Sequence, residues 1–196
     1  MKSKQWIERQ KRDIFVNNAK KLGYLSRAAF KIIDIEAKFK LIQSSKNILE
    51  LGSAPGSWSQ VILEINDKID LFAFDINDMK FTHPKLNFIQ EDFKNFDFNK
   101  LSKKFDLILS DIAPNTTGHK STDHLRISSI INNIINLLNK IASHNSSFVF
   151  KMWKGSEEKF IINKLKEKYK EVNYFKPKSS RAESVEIYVV AQKFIK

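Results

Sequence analysis

The sequence predicts an α/β fold: a mostly parallel sheet of seven strands with helices on both faces. Three observations carry this expectation. Short apolar runs alternate with helix-like stretches along most of the chain. The early runs are apolar throughout, as strands covered on both faces are. A glycine turn, Gly52 to Gly56, joins the first such run to a helix.

The elements follow in order. Residues 6–22 are polar with scattered apolar positions and read as a short helix, closed by a turn at Gly23. Ser26 is placed to cap a helix running to about Lys40, packed through Phe30, Ile32, Ile33, Ile35, Ala37 and Phe39. Lys31 lies beside that stripe. Residues 47–51 form the first strand, and a helix follows over 58–65. Strands at 69–74, 86–90 and 105–109 end at Asp75, at Glu91 and Asp92, and at Ser110 and Asp111. A long helix over about 123–142 precedes a strand at 147–152. Ser156 is placed to cap the next helix, with Glu157 and Glu158 complementing its dipole. Strands at 172–175 and 185–191 close the chain. The phenylalanines between Phe93 and Phe98 read as core and loop packing.

A length of 196 residues suits one domain, expected over 1–196. No run approaches the roughly 18 apolar residues of a membrane span, and no signal-peptide core follows the first basic residues. The chain has no cysteine, which excludes disulfides, thiol nucleophiles and thiolate metal sites. The four histidines show no ligand spacing, so no metal is expected. Cytoplasm is the expected compartment; the basic N-terminus leaves the mitochondrial matrix as the alternative. The net charge of +12 favours a polyanionic partner. Nine of the basic residues but only two acids fall between Met1 and Lys31. Residues 1–25 therefore read as a basic arm that contacts phosphates, with Lys11 and Arg12 among its candidates and Arg27 as a further one just beyond it.

In parallel sheets ligands bind beyond the carboxyl ends of the strands. Asp75, Asp92, Asp111 and Lys151 all fall at such ends. Gly52 and Gly56 permit close backbone approach. The turn lacks the G-x-G-x-x-G spacing of dinucleotide sites. It suits S-adenosylmethionine, which has no phosphate to cradle. Asp75 would accept from the ribose hydroxyls and Asp92 from the adenine amino group. Ser53, Pro55, Trp58 and the loop after Asp111 would complete the walls.

Lys31, Asp111, Lys151 and Glu186 complete the pattern. Taken singly, each lysine reads as a surface residue of a lysine-rich chain; the joint pattern carries the assignment. A sulfonium methyl group is already activated, so an enzyme must align the atoms and remove the acceptor's proton. Lysine serves as that base only in its neutral form. Burial and a second ammonium favour that form and a neighbouring carboxylate opposes it, and the sequence leaves the balance open.

The segments around these residues, SRAAFK, ELGSAPGSW, SDIAPN, FKMWKG and SRAESVEIY, resemble the FtsJ/RrmJ family of RNA 2′-O-ribose methyltransferases. The resemblance runs from about Trp6 to Ala191. It implies a Rossmann-like S-adenosylmethionine-dependent methyltransferase fold. It also implies a catalytic Lys-Asp-Lys-Glu set at Lys31, Asp111, Lys151 and Glu186, with Lys151 as the general base. The donor turn departs from the family's common Asp-Leu-Gly-Ala-Ala-Pro-Gly-Gly-Trp at Glu50, Ser53 and Ser57. The implied substrate is a uridine 2′-hydroxyl in large-subunit ribosomal RNA, acted on by a monomer. Lys154, Lys176, Lys178 and Arg181, which flank the site, are candidate RNA contacts. A tRNA anticodon-loop methyltransferase and a non-catalytic RNA-binding ribosome-assembly factor are the alternatives.

Overall fold

A computed structural model describes residues 11–114, 117–181 and 184–195. Seven strands form one sheet: β1 (Asn47–Leu51), β2 (Asp70–Asp75), β3 (Leu86–Gln90), β4 (Phe105–Ser110), β5 (Ala142–Trp153), β6 (Tyr169–Phe175) and β7 (Glu186–Phe194). Their order is β3-β2-β1-β4-β5-β7-β6. The first five pair in parallel, while β7 runs antiparallel to both β5 and β6. The chain leaves β1 toward one edge and returns at β4 toward the other. That switch opens a crevice at the carboxyl ends of β1 and β4, where Gly52 and Asp111 stand.

Five α-helices lie wholly within the described residues: α1 (Ile14–Lys21), α2 (Ala29–Phe39), α3 (Ser57–Ile65), α4 (Lys120–Ile141) and α5 (Glu158–Lys166), with a short 3₁₀ helix at Phe98–Leu101. α2 and α3 bury Ile32, Ile35, Trp58, Val61 and Ile62 against one sheet face. On the other face α4 and α5 bury Ile127, Ile131, Ile134, Leu138, Ile161 and Leu165. Both faces of β1 and β4 are covered, which explains why Leu49, Leu51, Leu107, Ile108 and Leu109 are all fully buried. The phenylalanines after β3 fill the core, with Phe74 packed at 4.9 Å from Phe96 and 5.3 Å from Phe98 between ring centroids.

Several helix starts differ from expectation, each for a local reason. The residues before Lys11 in the expected first helix lie outside the described residues; the described helix begins after Asp13, whose Oδ1 accepts from Phe15 N and Val16 N. α2 begins at Ala29, not at Ser26. The Ser26 hydroxyl is spent on Ala28 N and on Ser57 Oγ, and the chain enters the helix through three i→i−3 bonds. α4 begins three residues before Asp123. The Asp123 carboxylate reaches back to Thr117 and Gly118, so it closes the preceding turn from inside the helix. Ser156 makes no cap for α5; Glu157 holds the N-cap position without a side-chain bond.

β5 starts at Ala142, five residues before the expected Ser147, with an irregular register against β4. Its polar lead is tolerated because Ser143 Oγ donates to Phe105 O and Asp106 Oδ1. The segment expected as a basic arm is docked over its described part: Ala19 of α1 is buried, and Phe15 packs on Phe30 of α2 at 5.4 Å.

Candidate active site

Each member of the expected catalytic set is carried by a different element. Lys31 projects from the first turns of α2, Asp111 follows β4, Lys151 lies in β5 and Glu186 opens β7. The β5–β7 register places Lys151 opposite Tyr188 and Trp153 opposite Glu186. Lys151 is buried, and its Nζ donates to Asp111 O at 2.7 Å and pairs with Asp111 Oδ1 at 2.9 Å. The Lys31 ammonium pairs with Glu186 Oε1 at 2.6 Å. Tyr188 joins the two pairs. Its hydroxyl donates to Asp111 Oδ1 at 2.5 Å, and Lys31 Nζ stands 5.7 Å from its ring centroid. The four residues therefore form one connected charge network.

The network sets the protonation of its members. Burial pushes the Asp111 carboxyl up, but the charges of Lys151 and Lys31 and the bonds from Tyr188 and Lys151 together hold it below the usual range. Burial drives the Tyr188 phenol well above its ordinary value, aided by the charges of Asp111 and Glu186. Tyr188 is therefore a donor at neutral pH.

A cavity of about 430 Å³ lies in the crevice between β1 and β4. Gly52, Asp75, Asp92 and Asp111 line it, and the loop after Asp111 adds Ile112, Ala113 and Pro114. Gly52 has φ +79°, and a Cβ there would sit 2.6 Å from Ile112 Cγ1 and 2.9 Å from Ile112 N. Asp75 Oδ2 accepts from Ala54 N at 2.9 Å, and its Oδ1 accepts from Asn77 N at 2.8 Å. With a further bond from Asn77 Nδ2 to Oδ1 at 3.0 Å, these fix a carboxylate that lines the cavity and keeps acceptor capacity on Oδ2. Asp92 is held by Lys94, through Nζ at 3.0 Å and the backbone N–H at 3.0 Å.

Other expected cofactor contacts stand away from that wall. Ser53, Pro55, Gly56 and Trp58 do not line the cavity. Gly56 packs against Phe81 and Met79. Trp58 is buried under the sheet end, donating to Ala28 O at 2.9 Å and packing on Tyr188 at 5.8 Å. It braces the approach to Lys31. Sequence reasoning missed Tyr188, Ile76, Asn77 and Lys94. Tyr188 could have been found from its position two residues after Glu186 on one strand, which gives both side chains one face. Ile76, 69 % exposed and lining the cavity, directly follows Asp75.

A second cavity, of about 230 Å³, opens beside the lysine network. Ser26, Arg27, Lys31, Arg181, Ser184 and Glu186 are among its lining residues. Arg27 and Arg181 are not free cations here: both contact Asp13, and Arg27 also donates to Ser179 O. Lys176 donates to Ser184 O at 2.7 Å. Lys11, Arg12, Lys154 and Lys178 are exposed.

Glu50 lies beneath the glycine turn, buried, with its Oε2 accepting from Ser59 Oγ at 2.6 Å. Burial pushes its carboxyl up to about 8; the Ser59 bond opposes this and the charges of Asp111 and Asp75 add to it.

Comparison with known proteins places this arrangement. The model of the FtsJ-like methyltransferase family matches residues 24–194. Ribosomal RNA large subunit methyltransferase E of Wolbachia pipientis wMel is 42 % identical over 188 residues, covering 93 % of this chain and 96 % of the relative. The protein of the same name from Wolbachia sp. subsp. Brugia malayi (strain TRS) is 39 % identical over 203 residues, covering 100 % of this chain and 90 % of the relative. A Plasmodium falciparum crystal structure described as a ribosomal RNA methyltransferase superposes with a TM-score of 0.77 at 32 % identity, covering 88 % of this chain and 99 % of that one.

Proposed function

The chain belongs to the FtsJ-like methyltransferase family, and on that footing we propose that it moves a methyl group from S-adenosylmethionine to a ribose 2′-hydroxyl of large-subunit ribosomal RNA. The observation that carries this reading is the double position of Asp111. It lines the larger cavity and also anchors the buried Lys151. Donor and proton acceptor are thereby held on one side chain. The names of the relatives favour ribosomal RNA as substrate and a uridine as the modified nucleotide is the finer reading that the family resemblance adds.

The larger cavity fits the donor. Its volume falls within the roughly 300–1,000 Å³ of small-molecule sites. Gly52 lines it, and the missing Cβ lets Ile112 of the facing loop close against the turn. Asp75 would hold the ribose hydroxyls, Ile76 would cover the adenine and Asp92, shared with Lys94, would face its amino group. When bound, the donor supplies an activated methyl group on a sulfonium sulfur.

The chain's own residues do the rest. Lys151, once its ammonium has shed a proton, takes the 2′-hydroxyl proton as the oxygen attacks. The ammonium so formed donates to the carbonyl and carboxylate of Asp111. Tyr188 keeps Asp111 ionised and oriented. Lys31, held by Glu186, faces the second cavity, which we assign to the acceptor nucleotide. Exposed Lys11, Arg12, Lys154, Lys176 and Lys178 would meet neighbouring phosphates.

Incubation with labelled donor and ribosomal subunits, free ribosomal RNA or tRNA, followed by mapping of the labelled nucleotide, tests the reading. One 2′-O-methylated site in large-subunit RNA is expected. Label in the tRNA anticodon loop alone, or no label at all, would overturn it.

A further inference from the structure

We propose that Asp13 is a positioning residue for this reaction: its carboxylate holds two arginines that would otherwise take Glu186 from Lys31. The proposal rests on the functional reading above. Asp13 precedes α1, eighteen residues before Lys31 and much farther from the rest of the charge network. Its two oxygens have different work. Oδ1 accepts from Phe15 N and Val16 N and caps α1. Oδ2 receives the Arg27 guanidinium, and Arg181 Nε and Nη2 at 3.3 and 3.1 Å. Its side chain is 9 % exposed, so little water screens these pairs.

The two arginines belong to the segments that carry the Lys31–Glu186 pair. Arg27 stands one helical turn before Lys31, and Arg181 lies five residues before Glu186. Both arginines, Lys31 and Glu186 line the same cavity. Three cations therefore share that space, with Glu186 as the only carboxylate among the described residues that line it. Asp13 supplies the second anion from outside the lining and engages two of the three cations. Glu186 is left to Lys31, at 2.6 Å. Guanidinium forks bind carboxylates better than an ammonium does, so an arginine released from Asp13 would win Glu186. Asp34 contributes separately, accepting from Ser179 N and Oγ at 2.9 and 2.8 Å. That bond ties the loop before β7 to α2 without neutralising either arginine.

Asp13→Asn isolates the charge, because asparagine caps a helix as well as aspartate does. Kinetics on the RNA substrate, donor titration, melting and the variant's crystal structure are compared with wild type. A fall in kcat of about 10-fold is expected with donor affinity unchanged, alongside a lower melting temperature from the two lost ion pairs. An arginine is expected on Glu186 in the variant's structure. Adding Arg181→Gln removes one competitor and is expected to recover kcat at saturating RNA by about threefold. Unchanged kcat in Asp13→Asn overturns the proposal. So does a loss matched by weaker donor binding, which makes Asp13 a general scaffold residue. Tighter RNA binding at unchanged kcat also overturns it, by making Asp13 a competitor of phosphate. If Asp13→Asn does not fold, Asp13→Ser, which also caps, takes its place. A wild-type chain inactive on every RNA would sink the proposed function instead, and the partner of Glu186 in the variant would still be readable.

Discussion

Lys151 touches Asp111 twice, at the backbone carbonyl and at the carboxylate Oδ1, 2.7 and 2.9 Å from its Nζ. A lysine so held cannot swing away when Asp111 moves. The wall of the larger cavity and the amine proposed as the base thus shift together.

Tyr188→Phe removes the hydroxyl that donates to Asp111 at 2.5 Å. Hydrogen bonds to charged groups contribute about 1.5–3 kcal/mol, so a loss of that order in unfolding free energy is expected. The sign with pH follows from Asp111, whose carboxyl is held below its ordinary value of 3.8. That stability is present above the unfolded value and is lost as pH falls through the folded one. With Tyr188 gone the folded value rises. The acid-unfolding midpoint of the variant should move to higher pH, as read by circular dichroism; an unmoved midpoint contradicts the assignment.

Glu50→Gln should stabilise the protein at alkaline pH. The folded carboxyl is pushed from 4.5 up to about 8. Across that window the folded state keeps a proton that the unfolded chain has lost, so Glu50 withdraws stability as pH rises. Glutamine cannot ionise and still offers Ser59 an acceptor. The variant should melt several degrees above wild type at pH 8.5, at about 2–4 °C per kcal/mol for a chain of this size, with the gap closing toward pH 5. A gap independent of pH would rule out Glu50 as the titrating group.

Gly52→Ala should abolish donor binding while leaving most of the fold. The new Cβ meets Ile112 at side chain and backbone, and φ +79° disfavours any residue with a Cβ. Calorimetric titration with S-adenosylmethionine should give no detectable heat. Wild-type affinity in this variant would move the donor away from Gly52.

RNA affinity should fall steeply with salt, because phosphate contacts release counterions. Replacing exposed Lys154 and Lys178 with alanine should reduce the slope of log affinity against log salt by about 2. An identical slope would place both lysines outside the RNA footprint.

The order of strands and helices was readable because both core faces are written as apolar runs of fixed period, as in Leu49 to Leu51 and Ile127 to Leu138. The meeting of Lys31, Asp111, Lys151 and Glu186 was readable only through motif resemblance. No local rule links residues so far apart. What escaped was hydrogen-bond allocation. Ser26 and Asp123 are good capping residues by type, yet one serves Ser57 and the other closes a turn from within its helix. Arg27 had the charge of an RNA contact, but Asp13, fourteen residues earlier, claims it. Trp58 had the look of a pocket wall, and the sheet end buries it against Tyr188. Each outcome depends on partners that folding supplies.

Single-turnover methyl transfer by Lys151→Ala, run beside a donor titration of the same variant, tests the central claim most directly. The loss of a general base predicts a rate lower by about 10²–10⁴ with donor affinity within about threefold of wild type. Near-wild-type turnover in Lys151→Ala would contradict the account, since the proton would then be leaving by another route.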